Sequence, residues 1–338
     1  MLGRLGGGER FGLALLVSWV GWAGIRSALA GQALSPLSAY VVAPVSLAAG
    51  VALGTLLAPH ARRRVVALSL LGATLYLLVA VLATGGPAKA PTGYANANAA
   101  LAVQLTGLSG LALLRAPRGR RWPLVLAAIV GVGVAWANAS VAALALGGPL
   151  LALVLAMGWK PAQRHTAKVV AAGLGAAAIA GSATAVAALA TRSSWPPSVL
   201  RFLDEARRTM WVDAVRLWRE HATFGAGPGA FERMSTLGHD PDTASAHSAV
   251  LQVGAETGWV GVALLLAIVL TGVWWAARGR PAAAVVGPAT WTALVVHSMT
   301  DHLVDFPVVV LAGGIVIGWS GASARSEQLD VPEGERPG

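Results

Sequence analysis

Ten stretches of this chain approach the length of a membrane crossing and carry almost no charge. A helix needs about 20 mostly apolar residues to span a bilayer. The stretches run at 11–31, 37–58, 65–84, 97–114, 123–137, 140–157, 169–191, 259–277, 282–300 and 304–320. The fifth and sixth share one apolar run, far too long for one crossing, and Trp136-Ala137-Asn138-Ala139-Ser140 is the natural place to divide it. Composition agrees: 56% of the residues are hydrophobic and 12% charged, against about a quarter charged in a soluble domain. A mean hydropathy of +0.65 excludes a soluble enzyme or a DNA-binding domain. The absence of cysteine excludes a disulfide framework, a thiolate metal site and a cysteine nucleophile.

Placement of the cations sets the orientation. With the N-terminus inside, the inner segments hold sixteen: Arg4, Arg10, Arg62 to Arg64, Arg115, Arg118, Arg120, Arg121, Lys160, Arg164, Lys168, Arg278, Arg280, Arg325 and Arg336. The short outer loops hold only Lys89, and the long one, 192–247, balances seven arginines with seven acids. Every short loop then obeys the positive-inside rule. The expectation is an all-α polytopic transmembrane helix bundle of about ten spans, both termini cytoplasmic. It forms a single transmembrane domain over 1–320, with a large extracytoplasmic loop containing amphipathic helices, 192–258, inserted between spans seven and eight. Residues 321–338 are too polar to bury a core and read as a disordered cytoplasmic tail. The start, with Arg4, Arg10 and Ala28-Leu29-Ala30, mimics a secretory signal. Arg26 interrupts that pattern, and cleavage would not invert the other nine spans.

Polar groups that persist in such a chain mark its chemistry, and they fall on the outer side of this topology. In the long loop, Trp195-Pro196-Pro197 ends span seven and residues 200–220 read as a helix, with Leu203, Ala206, Met210, Ala214, Leu217 and Trp218 near helical spacing. That pattern suits a helix lying on the outer bilayer surface. Its Arg207, Arg208, Arg216 and Arg219 either meet headgroups and pair with Asp204, Glu205, Asp213 and Glu220, or grip a phosphate, which a guanidinium fork suits. Three alternate glycines in Gly225-Ala226-Gly227-Pro228-Gly229-Ala230-Phe231 permit a tight turn and close backbone approach. No Lys-Ser/Thr follows, so this is not a P-loop.

Next, His247-Ser248 opens a helix on which Gln252 and Glu256 stand four apart, within hydrogen-bonding reach; Gly258 and Gly261 follow. At the helix start the positive dipole end favours neutral imidazole, the form a general base needs. His247 is read as an exposed loop residue that either acts so or caps the helix. The turn between spans nine and ten carries His297, Asp301 and Asp305 at spacings of four. A divalent metal there is conceivable, but no cysteine or compact histidine pair reinforces it. A hydrogen-bond network or substrate contact is the simpler reading. Asn96 and Asn98 in Thr92-Gly93-Tyr94-Ala95-Asn96-Ala97-Asn98 suit helix caps. Arg26, a charge within the outer part of span one, is costly and so functional by default, unless it snorkels outward.

In order and spacing around one large outer loop, these pieces resemble the O-antigen ligase and polymerase family. They are Gly93 to Asn98, Arg207 with Trp211, Gly225 to Phe231, His247-Ser248 through Gln252 to Glu256-Thr257-Gly258 and Gly261, and His297 to Asp305. The resemblance runs from about residue 90 to 310. It implies a membrane glycosyltransferase that transfers or polymerises an undecaprenyl-diphosphate-linked glycan on the outer face of the cytoplasmic membrane. Transfer is inverting and needs no metal, nucleotide sugar or cofactor. The implied partners are that lipid-linked donor, a glycan, lipid or protein acceptor, and membrane lipids, with no nucleic acid. The resemblance assigns the acceptor-activating base to His247 and the donor diphosphate to Arg207, with Arg208 as rival and Arg26 as a further candidate. Trp211, Gly225, Gly227, Gly229, Phe231, Gln252, Glu256, Gly258, Asn96, Asn98, His297, Asp301 and Asp305 support the site.

Two departures stand beside it. Where the family has Ser-Arg-Gly near the outer side of a middle span, this chain has Asn138-Ala139-Ser140-Val141-Ala142. Either Arg26 or a second loop arginine substitutes, or the donor is held more weakly, or this member has another job. The chain is also shorter than the family pattern by about two spans near the front. A transporter and a non-catalytic partner in surface-polysaccharide assembly are the competing functions. Against transport, ionisable residues are nearly absent from the middle of spans two to eight, where a coupled transporter places them.

Overall fold

The computed structural model describes residues 7–84, 89–164, 166–238, 240 and 243–324. Among the described residues every regular element is helical. In chain order they are α1 (Gly7–Leu29), α2 (Ala39–Leu57), α3 (Arg64–Ala83), α4 (Ala95–Leu113), α5 (Trp122–Ala137), α6 (Val141–Trp159), α7 (Thr166–Ala190), α8 (Pro197–Leu200), α9 (Glu205–Glu220), α10 (Ala230–Met234), α11 (Ala249–Ala276), α12 (Ala283–Ser298) and α13 (Pro307–Ala322). Each of the ten expected spans corresponds to a helix. Seven helical segments, comprising α1, α3, α6, α7 and α11 together with α2 and α5 each extended by a short 3-10 turn, are long and apolar enough to cross a membrane. The protein is an all-α, multi-pass membrane protein. Trp122, Trp136 and Trp159 stand exposed at the ends of α5 and α6, where interfacial aromatics belong. Helix α13 runs to Ala322, just into the expected tail; residues 325–338, with Arg325 and Arg336, lie outside the described residues, as does Arg4.

The α5–α6 division falls at Asn138-Ala139-Ser140. Ala139 takes a left-handed φ of 54°, and the Ser140 hydroxyl accepts the Ala143 N–H at 3.4 Å to cap α6. Helix interiors tolerate neither feature, so one apolar run becomes two helices.

The chain divides into two compact units. One comprises 46–177, 272–294 and 308–338, and small residues govern its packing. In α2, Gly50 and Gly54 face Gly314 and Gly318 of α13 so closely that a Cβ on any of the four would strike the partner's backbone. This small-xxx-small pairing brings helices together without needing water exclusion. Helix α4 is nearly all buried and carries Asn98, Gln104, Thr106 and Ser109. Such polar side chains are tolerated there because their surroundings are protein. Its Gln104 donates to the Thr290 carbonyl at 3.2 Å, and Gly107 makes room for the Thr290 side chain.

The asparagines at the mouth of α4 are not caps. Helix α4 begins at Ala95 without a side-chain cap. Buried Asn98 instead accepts from the Thr92 hydroxyl at 2.9 Å and donates to the Lys89 and Ala90 carbonyls at 2.9 and 3.0 Å, tying down the preceding loop. Asn96 donates to the Tyr94 hydroxyl at 3.2 Å. Inside the first turn, an asparagine is too far along to receive the free N–H groups, and its amide turns back to the loop.

Candidate active site

The other unit comprises 1–45, 178–271 and 295–307. It holds every sequence-predicted site residue except Asn96 and Asn98, which belong to the unit just described.

Its frame is a break in α11. Gly258, at φ 68° and ψ −167°, leaves helical geometry in mid-helix, which only glycine does without strain. The break releases carbonyls that the helix would otherwise use. Ala255 accepts the Ala226 N–H at 2.9 Å, Glu256 the Gly227 N–H at 2.8 Å, and Thr257 the Trp22 indole at 3.0 Å. From the other side, the Trp259 N–H finds the Ala222 carbonyl at 3.0 Å. Gly225, Gly227 and Gly229 all have positive φ, and a Cβ on Gly225 would collide with the backbone at Glu256 and Thr257. The glycine-rich turn and the Glu256-Thr257-Gly258 stretch are two halves of one backbone clamp.

A buried carboxylate fastens it. Glu256 accepts from the Tyr40 hydroxyl at 2.8 Å, the Gln252 amide at 2.9 Å and the Phe231 N–H at 3.1 Å. The Gln252 oxygen accepts the Ala246 N–H at 2.7 Å, so the chain of bonds ends beside His247. Arg26 joins the clamp too: it donates to the Gly225 carbonyl at 2.7 Å, and its Nε is buried without a hydrogen-bond partner.

His247 is 7% exposed and has φ 46°. It is a buried residue in a strained backbone state, not the exposed loop residue the sequence suggested. A non-glycine residue held there costs about 1–3 kcal/mol, which is retained where the surroundings over-determine it. Asp301 supplies part of those surroundings. Its Oδ1 lies 3.5 Å from His247 Nδ1 and 3.0 Å from His302 Nδ1, while Oδ2 lies 3.5 Å from the Arg207 guanidinium. The two imidazole rings stand 4.2 Å apart, and His302 packs on Phe306. Burial alone would raise the Asp301 carboxyl, but its hydrogen bond with His302, the Arg207 guanidinium and the two neighbouring imidazoles outweigh it, holding the group well below the usual carboxylate range. Asp301 is an anion shared by three potential cations.

The arginines of α9 part company. Arg207 turns to Asp301 and, at 3.8 Å, to the N-cap Asp204, and its Nε is buried without a hydrogen-bond partner. Arg208 pairs with Glu205 and donates to the Ser193 carbonyl. Arg216 pairs with Asp213, which is buried and holds Ser235 and Thr236. Helix α9 begins at Glu205, five residues later than 200, and Met210, Trp211, Ala214 and Leu217 are buried in protein, Trp211 against Trp195. Its apolar face is therefore not turned to lipid, as a bilayer-surface helix requires. Nor does the turn 299–306 continue as a helix: α12 stops at Ser298, and only Leu303–Asp305 forms a 3-10 turn. The four-residue spacing of His297, Asp301 and Asp305 consequently does not align them. His297 and Asp305 both lie within electrostatic reach of Asp301, but it is His302, adjacent to Asp301, whose ring stands against the carboxylate.

An imidazole against a buried carboxylate can take up a proton, and a guanidinium beside it can hold a phosphate. The fold and this cluster define a polytopic, all-helical membrane protein with a buried group of two imidazoles, a carboxylate and a guanidinium. Residues 124–266 match the family model described as O-Antigen ligase. Over that stretch, somewhat less than half of the chain, the protein is similar to the O-antigen ligase family. The matched stretch includes α9, the glycine turn, His247 and Gly258, and ends before Asp301. No curated protein matches the chain.

Proposed function

We propose that the protein transfers or polymerises an undecaprenyl-diphosphate-linked glycan on the outer face of the cytoplasmic membrane, without a metal and with inversion. One observation carries this reading: His247, Asp301 and Arg207 meet in a single buried cluster. With its Nδ1 edge toward Asp301, His247 keeps Nε2 as the lone pair that removes the acceptor hydroxyl proton. The acceptor oxygen bonds to the anomeric carbon from the face opposite the diphosphate. The bond from that carbon to the phosphate oxygen breaks, and undecaprenyl diphosphate departs with the electron pair. Asp301 stabilises the imidazolium as it forms. Arg207 meets the developing phosphate charge; its approach to the cluster favours it over Arg208, and Arg26 stands at the glycine turn as a second donor ligand. Gln252, Glu256, Gly225, Gly227, Gly229, Gly258 and Tyr40 hold the base in position.

The test is donor consumption. Wild-type protein and His247→Gln, in nanodiscs, receive lipid-linked glycan from the native host, and released undecaprenyl diphosphate is followed by mass spectrometry. Glutamine keeps much of the size and polarity of a buried side chain that alanine would remove. Removing a general base lowers turnover by about 10²–10⁴-fold, so release by the wild type and near-silence of the variant is expected. Equal release would remove the role given to His247.

A further inference from the structure

The two histidines and the carboxylate have a second capacity. Ligand atoms of His247, Asp301 and His302 all lie within 4.8 Å of one another. Asp301 Oδ1 stands 3.0 Å from His302 Nδ1 and 3.5 Å from His247 Nδ1. Zinc binds imidazole nitrogen at about 2.0–2.1 Å and carboxylate oxygen at about 2.0–2.2 Å, so neighbouring ligands of a tetrahedral ion stand about 3.3–3.4 Å apart. The two edges at Asp301 bracket that value. Two imidazoles and a carboxylate also form a familiar three-ligand zinc set, with the fourth position left for water or substrate.

We infer that a borderline-soft divalent cation such as Zn²⁺ binds at His247, Asp301 and His302 and inhibits the protein. The inhibitory half rests on the transferase reading above; the binding half does not. Arg207 engages Oδ2 of Asp301; Oδ1, which also accepts the His302 backbone N–H at 2.8 Å, faces both imidazoles and is the one the cation takes. The reason for inhibition lies in the tautomer. In the transferase reading, the His247 proton is on Nδ1, the edge toward Asp301, and the lone pair on Nε2 serves the acceptor. With the ion on Nδ1, the one remaining imidazole proton sits on Nε2. The atom that has to accept a proton then already carries one. No electron is transferred, and any proton displaced from the ligands goes to solvent. Mg²⁺ and Ca²⁺ prefer oxygen ligands and gain little from two nitrogens, so they are excluded.

The experiment uses the full-length, tag-free protein in nanodiscs, titrated with Zn²⁺ against a chromogenic chelator. Asp301→Asn and His302→Phe are the variants. The first preserves shape; the second keeps a ring against His247 and Phe306 but removes both nitrogens. Thermal unfolding shows whether each is folded. The wild type should hold one equivalent, and each variant should bind at least about tenfold more weakly, with millimolar Mg²⁺ displacing none. In the donor-release assay, one equivalent of Zn²⁺ should silence the wild type, and the inhibitory concentration should rise about tenfold or more in His302→Phe. No retained zinc, or equal retention in both folded variants, overturns the site. Full turnover with the ion bound overturns the inhibition. If no preparation releases donor product, the transferase reading fails while the titration still decides the cation site.

Discussion

The two units bury polar groups in opposite ways. In the unit of α3 to α6, buried hydroxyls and amides bond to backbone carbonyls: Thr290 to Val286, Thr106 to Ala102, Ser320 to Ala276 and Ala283, Gln104 to Thr290. None of these groups ionises, and each serves a helix or a helix–helix contact. In the unit of α9 and the break in α11, buried side chains bond to one another: Asp301 meets His247, His302 and Arg207, and Glu256 meets Tyr40. Burying a charge is costly unless it is paired. At Asp301 the pairing brings an imidazole, a carboxylate and a guanidinium within reach of each other.

Substitutions in the two units should therefore fail differently. The greatest loss of activity with an intact fold belongs to His247→Gln, as set out above. Gly50→Leu should do the reverse. It forces a side chain into the backbone of α13, and overpacking costs about 1–3 kcal/mol or more; a lowered unfolding temperature and poor recovery from the membrane would show it. If Gly50→Leu unfolds like the wild type, the small-residue packing is not what holds that unit. Next comes the contrast between neighbours: Arg207→Gln should lower donor release about tenfold or more, as expected for loss of a charge-assisted phosphate contact, while Arg208→Gln should stay close to wild type. Equal losses would return Arg208 to the site. Tyr40→Phe removes one hydrogen bond to Glu256 and should cost about 1–3 kcal/mol, because the carboxylate it leaves is buried. Thr290→Val removes a hydroxyl bonded only within its own helix and should change unfolding by about 1 kcal/mol or less.

Acid gives a further separation. The folded Asp301 carboxyl is held below its unfolded value, so its stabilising contribution is complete above the unfolded pKa, about 4. It is lost as pH falls from there toward the lower folded value. Acid unfolding followed by tryptophan fluorescence should begin earlier in the wild type than its neutral-pH stability suggests, and Asp301→Asn should flatten that dependence.

The spans were legible because an apolar run has one outcome in lipid, and Asn138-Ala139-Ser140 was legible as a break because the run around it is too long for one helix. The order of Arg207, the glycine turn, His247 and Gly258 was legible as well. Their surroundings were not. Tyr40 stands in an apolar span, 216 residues from the carboxylate it meets, and nothing near it in sequence signals a partner. His302 was passed over because spacing by four presumes a helix, and the turn after Ser298 is not one. Asn98 resembles a cap until the preceding loop is seen to fold onto it. For α9, periodicity gives an apolar face but cannot tell lipid from protein as what covers it.

The clamp at Gly258 also fixes a length. Backbone bonds from Ala226 and Gly227 anchor one end of the glycine turn, and the bond from the Phe231 N–H to Glu256 anchors the other. One inserted residue shifts the chain by about 3.8 Å, more than the reach of any of these bonds. The turn is a ruler with its two ends pinned to the same short stretch of helix. A glycine turn of different length would put Phe231, and through Glu256 and Gln252 the residue before His247, out of step. An alanine inserted after Pro228 should thus disable the base from a distance, though it touches neither imidazole nor carboxylate.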